Sequence, residues 1–290
     1  MMIVARIWPG AVRFAKRHPL AFLGAIIIVV VAVCAALAPL IAPYNPRVPA
    51  SVDLSLQLAG PSASHLFGND ENGNDLLSQI VFGARVALIV GVSTVLISML
   101  LGIFLGSLAG YYGGFVDEAI MRLVDVVMAF PGLLLAIAII AVTQEPSELS
   151  VVAALSATGW AGYARLVRAE FLALREREFV QAARAMGASA PRVIFRHILP
   201  NALAAVTVQA TFGLAASILA EAGLSFLGLG PQGTQSWGAL LDQGTQWFAI
   251  APHLAIFPGI ALMLLVLAFN FLGDALRDVL DPRHRQRGAR

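Results

Sequence analysis

Five stretches of this chain come close to the span of a bilayer without one charged side chain: Leu20–Ala42, Val86–Ala109, Val126–Val142, Asn201–Ala220 and Leu254–Gly273. A helix needs about 20 apolar residues to cross a hydrocarbon core about 30 Å thick. Lipid also leaves the backbone no water to bond, so such runs must be helical. A sixth run, Leu149–Ala164, is shorter and rich in Ala, Ser, Thr and Gly, the residues that let helices approach closely inside a bundle. Charged residues make up 12% of the chain, against about 25% in a soluble domain. The expected fold is all-α, an integral membrane protein of six spans. The first run is too long for the apolar core of a signal peptide, about 7–15 residues, and reads as a retained span.

The basic residues give the orientation. Of 19 Lys and Arg, the amino-terminal tail holds four, the connection after Leu149–Ala164 seven, and the carboxyl-terminal tail five. Arg122 lies between the second and third runs, whereas Arg47 and Arg85 fall between the first and second. Six spans put 17 of the 19 on one side, and the positive-inside rule makes that side cytoplasmic, with both termini. The net charge of +2 is therefore topology, not a nucleic-acid footprint. The expected division is a cytoplasmic tail at 1–19, a first span at 20–42, an extracytoplasmic loop at 43–85, a transmembrane core at 86–274 and a cytoplasmic tail at 275–290.

Several functions lack their residues. Proton- or ion-driven carriers place carboxylates at the membrane midplane, and the runs contain none. Asp125 stands at the edge of the third run, expected to pair with Arg122 on one helix face, and Glu221 at the external end of Asn201–Ala220, expected to be solvated or capping. There is no HExxH, no GxxxxGK[ST] phosphate loop and only one cysteine, Cys34. Residues 70–75, DENGND, imitate a calcium loop, but Gly73 falls at position 4 and Val81 at position 12, so an Asn/Gly turn is expected. Pro131 and Pro258 fall inside two of the spans, where each can bend its helix or simply be tolerated.

The segment between Leu149–Ala164 and Asn201–Ala220 is too charged to cross a membrane, yet is full of helix formers. One helix is expected to leave the fourth span and continue to a stop at Gly187. Ser189 and Pro191 then start a second helix that meets Pro200. The result is an ordered hairpin, residues 170–200, with small side chains from Gln181, Ala182 and Ala183 to Ala188. Order in water with a small-residue tip suits a surface on which another protein docks.

These residues resemble the EAA motif of ABC importer permeases, EAA-x3-G-x9-I-x-LP: Gln181-Ala182-Ala183, Gly187, then His197-Ile198-Leu199-Pro200. Gln181 and His197 depart from the usual Glu and Ile. HLFGNDENGNDLLSQIVFGARVAL from His65, Gly113–Asp117 with Arg122, Asp125 and Pro131, and Glu221–Gly230 with Ser236-Trp237-Gly238 are similar to the C-type permease of the dipeptide/oligopeptide (nickel) importers. The resemblance implies a type I ABC importer permease fold in a bacterial cytoplasmic membrane. It also implies a second homologous permease subunit, two P-loop ATPase subunits and an extracytoplasmic solute-binding protein as partners. The hairpin would be the coupling helix, contacting an ATPase through Gln181, Ala182, Ala183, Gly187, Ala188 and Ser189, with Leu199 and Pro200 closing the motif. The chain itself would be non-catalytic and bind no cofactor; ATP and Mg would be used by the partner ATPases. The implied cargo is a di- or oligopeptide, with nickel, glutathione or another small solute as the alternative. An ion-coupled carrier is the competing class.

Overall fold

A computed structural model describes residues 18–45, 53–143 and 146–280. The basic residues of both tails beyond these limits, Arg47 and His284 lie outside the described residues. The described chain is helical, with one isolated bridge, Asn69 to Asp75. In order come α1 (Pro19–Ala36), α2 (Ala38–Ile41), a 3-10 turn (Leu54–Leu56), α3 (Leu76–Tyr112), α4 (Gly114–Met128), α5 (Gly132–Ala141), α6 (Glu148–Arg175), α7 (Glu178–Ala185), α8 (Ala190–Val193), a π turn (Ile194–Ile198), α9 (Leu199–Phe226), α10 (Trp237–Gln246) and α11 (His253–Leu280).

Four helical stretches are long and apolar enough to cross a membrane: α1, α3, the run Ala190–Phe226 and α11. A fifth is the pair α4 and α5, bent by 81°. The expected continuous span Val126–Val142 is thus broken. Pro131 is the N-cap of α5 and has no N–H to continue α4, and residues 129–131 absorb the turn. Pro258, by contrast, sits inside α11 without interrupting it. The first run is also interrupted, at Leu37 between α1 and α2. Helix α3 opens at Leu76, so the last residues of the expected external loop, Arg85 included, are helical. Helix α1 leaves Leu20, Val29 and Val30 more than half exposed, and α3 does the same with Leu100 and Phe104. Such a surface is stable only against lipid or other apolar partners.

The centre of the bundle is the α3–α6 contact, and its cause is a glycine ladder. Gly102, Gly106 and Gly110 recur every fourth residue along one face of α3. A Cβ at Gly102 would lie 2.8 Å from the Ala164 nitrogen, at Gly106 2.5 Å from the Ala164 oxygen, and at Gly110 2.9 Å from the Arg168 oxygen. Backbone therefore meets backbone along the seam, as small-xxx-small motifs allow. Helix α4 is tied to α6 by ion pairs. Both Asp117 oxygens accept from Arg168, one through Nη2 at 2.6 Å, and Asp125 accepts from Arg165 Nη2 at 2.8 Å. Arg122 reaches Glu118 instead, at 3.8 Å. The expected Arg122–Asp125 pair is replaced because α6 brings a closer guanidinium across the helix gap.

Candidate functional site

The arginine-rich connection forms a hairpin, but not by one continuous helix. Helix α6 stops at Arg175, Arg177 is extended, and α7 starts afresh at Glu178. The cause is tertiary. Val180 and Ala183 are the buried face of α7, and Val180 joins Phe171, Val193 and Ile198 in one apolar cluster. A helix running straight on would hold Val180 in water, whereas burying such a side chain is worth about 1.5–3 kcal/mol. The break leaves the Glu176 carbonyl without a helical donor, and Gln181 Nε2 donates to it at 3.1 Å. Arg175 Nη1 donates to the Gly110 carbonyl at 3.2 Å, and the Arg184 guanidinium lies 5.0 Å from the centre of the Tyr111 ring. The hairpin is thereby clamped to the end of α3.

The tip is built as the residues suggest. Gly187 has φ of +83°. The Gly187 N–H bonds to the Arg184 carbonyl at 2.9 Å, and the Ala188 N–H to the Ala183 carbonyl at 3.1 Å. These are the two bonds of a Schellman cap. Ser189 occupies the N-cap of α8 without a side-chain cap bond, and Pro191 lies in its first turn. Pro200 does not end the helix. The π turn widens the coil ahead of it, with the Leu199 N–H reaching the Ile194 carbonyl, and Asn201 Nδ2 donates to the His197 carbonyl at 2.7 Å. Leu199 packs against the buried cluster, and His197 is half-buried on the π turn.

Of the residues singled out in the sequence, Gln181, Ala182, Gly187 and Ser189 are exposed around the tip, Ala188 is half-buried and Ala183 is buried. Beside them the hairpin exposes three large apolar side chains: Phe179 at 45%, Phe195 at 68% and Met186 at 82%. The sequence reading passed over these three, although apolar residues amid Arg and Glu are the available signal.

At the opposite end the Asn/Gly segment is a turn. Asp70 Oδ1 accepts from the Asn72 and Asn74 N–H groups at 2.9 and 2.8 Å, and Oδ2 accepts from Asn74 Nδ2 and Gln79 Nε2 at 2.9 and 2.7 Å. Asp75 caps α3 through the Ser78 N–H at 2.8 Å and lies 2.9 Å from His65 Nδ1. No cluster of His, Cys, Asp or Glu suited to a metal occurs among the described residues. Glu71 accepts from Gln243 Nε2 at 3.0 Å and Trp247 Nε1 at 2.5 Å, and Trp237 Nε1 donates to the Ile80 carbonyl at 2.9 Å. Helix α10 is thereby pinned to the Asn/Gly turn and to α3. Glu221 is 1% exposed and accepts from Ser225 Oγ at 2.7 Å and Ser236 Oγ at 2.9 Å. It is a buried tie between α9 and the Ser236 cap of α10, so of the two expected roles, solvated or capping, the solvated one does not hold.

The described residues thus form a multi-pass helical bundle with one broken span, α4 and α5, and an ordered polar hairpin. The profile of the family described as "Binding-protein-dependent transport system inner membrane component" matches residues 102–286, and that of the "N-terminal TM domain of oligopeptide transport permease C" matches residues 7–61. The chain belongs to the binding-protein-dependent ABC transport permeases, in the C-type branch of the peptide permeases. It is 44% identical to the dipeptide transport system permease protein DppC of Alkalihalophilus pseudofirmus, over 95% of this chain and 90% of that one. It is 42% identical to the glutathione transport system permease protein GsiD of Pectobacterium atrosepticum, over 93% and 89%. Its fold is similar to the inward-facing MetNI methionine ABC transporter, with a TM-score of 0.58 at 20% identity, covering 71% of this chain and 98% of that one.

Proposed function

We propose that this chain is one of two membrane subunits of an ATP-driven importer of di- or oligopeptides, and that the hairpin is its coupling element. Two relatives over 40% identical are transport permeases for a dipeptide and for glutathione, itself a short peptide, and this supports peptide cargo. In this account the chain catalyses nothing. Two P-loop ATPases bind beneath it, a solute-binding protein delivers cargo from above, and a second permease completes the pore.

The observation that carries the coupling role is the hairpin's double character. One face is locked into the bundle by Val180, Val193 and Ile198, each fully buried. The other offers Phe179, Met186 and Phe195 with the small residues Ala182 and Ala188. A partner that moves the outer face must then move α3, α6 and α9 with it. The contacts support α6 as a sixth span. Its Pro146 end accepts from the Gln232 N–H at 2.9 Å, while its Arg175 end meets Gly110 at the hairpin. The arginine-rich end is then cytoplasmic, and the membrane is the bacterial inner membrane.

The test is uptake of a labelled dipeptide into proteoliposomes holding the four subunits, supplied with the binding protein. Uptake that needs ATP and survives collapse of the proton gradient is expected. Uptake that stops with the gradient at constant ATP would overturn the account in favour of an ion-coupled carrier.

A further inference from the structure

Helix α1 meets the rest of the bundle closely at two levels. Toward the hairpin end backbone meets backbone, since a Cβ at Gly24 would lie 2.7 Å from the Ala268 oxygen of α11. Toward the other end Ala35 and Ala38 are buried, and Ala38 packs with Val81 and Phe82 of α3. Between these levels the helices part around a cavity of about 280 Å³. Helix α1 contributes Ile27, Val31 and Cys34 to its walls, α3 Ala84, α10 Trp237 and α11 Ala261. No charged residue lines it. The Trp237 Nε1 already donates to the Ile80 carbonyl at 2.9 Å, which leaves the Cys34 thiol, a weak donor, as the polar group on offer. Ala84 and Trp237 are buried and form the floor, whereas Ile26, Val30 and Leu264 are exposed and stand at the mouth. The mouth therefore opens on the same apolar outer surface as Val29.

We propose that this cavity binds one acyl chain of a membrane lipid, taken from the leaflet opposite the hairpin. Water is a poor occupant, because it needs two to four polar partners and these walls give almost none. An apolar chain instead gains close contact with every wall at once. The shape also suits it. Ile26 to Cys34 covers about 12 Å of α1 at about 1.5 Å per residue. Helix α1 is long and apolar enough to cross the membrane, so the cavity runs in the direction in which acyl chains lie. The floor is recessed behind α1. A helix of a second subunit would meet Ile26 and Val30 first and could not pass between α1 and α11, whereas a single flexible chain can. Lipid would then act as packing between the first span and the rest of the bundle, filling the gap that the two close contacts leave.

The test uses the complete complex, reconstituted in vesicles of phosphatidylethanolamine and phosphatidylglycerol with a small share of phosphatidylcholine that carries a diazirine midway along one acyl chain. After illumination the crosslinked residues are mapped by mass spectrometry. Val29, exposed and outside the cavity, reports lipid that stays on the surface. Ala84 and Trp237 are out of reach of such lipid, and label on them is expected only if a chain enters. Ala261→Phe, which puts a ring into the cavity, should lower label on Ala84 and Trp237 about fivefold or more and leave Val29 unchanged, because the ring takes up the volume of the chain. An unlabelled floor in the wild-type complex would overturn the proposal, and a side chain of a second subunit seated in the cavity is one way that result would arise. Floor label that Ala261→Phe does not lower would overturn it too. If that variant fails to assemble, Val31→Phe fills the cavity from α1 instead, and the wild-type result decides on its own.

Discussion

At the residue scale the motif positions divide by what the backbone asks of them. Gly187 is required by its φ of +83°, not by space, since nothing lies within 4 Å of where a Cβ would be. A β-branched residue in the left-handed region costs about 1–2 kcal/mol. Gly187→Val should therefore unmake the cap, sharply reducing uptake per assembled complex, while Gly187→Asn, which tolerates that region, should retain most of it. Equal uptake by both variants and the wild type would remove the cap from the account. Gln181 stands where the EAA motif usually carries Glu, and its amide makes a bond that Glu could not, because a carboxylate cannot donate to the Glu176 carbonyl. Gln181→Glu should cost about 0.5–1.5 kcal/mol, the worth of one hydrogen bond, seen as a lowered thermal midpoint of the detergent-purified complex.

At the scale of elements, the seam between α3 and α6 holds the bundle together. Gly106→Leu would drive a side chain into the Ala164 carbonyl, and no flexible group is there to yield. The expected result is loss of the folded subunit from the membrane fraction, whereas the same substitution at Gly162, which has nothing within 4 Å, should be tolerated. Immunodetection of both variants in membranes checks the pair. This seam was invisible in the apolar runs, because a glycine changes a hydropathy profile little whether it faces lipid or another helix. The break at Glu176 was hidden for a related reason. Local propensity stays helical through Arg184, and the turn is decided by Phe171 and Ile198, which meet Val180 only in three dimensions. The apolar runs other than the broken third, the Gly187 cap and the Asn/Gly turn were legible, since each depends on residues near in sequence. The partners of Asp125, Glu71 and Glu221 were not, since each comes from a distant helix or loop.

At the scale of the whole molecule, the account joins an apolar helical bundle to a hairpin rigidly attached at one end, with α10 tied to α3 and the Asn/Gly turn at the other. The proposed orientation rests on the arginine distribution. With Cys34 replaced by serine, Gln181→Cys should react with a membrane-impermeant thiol reagent only in inside-out vesicles, and labelling of right-side-out cells would reverse the topology. The central claim is that an ATPase stands on the outer face of the hairpin. Met186, 82% exposed at its tip, reports on that directly. In the same serine background, the reaction rate of Met186→Cys with a bulky maleimide should be measured with and without the ATPase subunits in the purified complex. Protection of tenfold or more on adding them is the result this account predicts, and an equal rate in both preparations would contradict it.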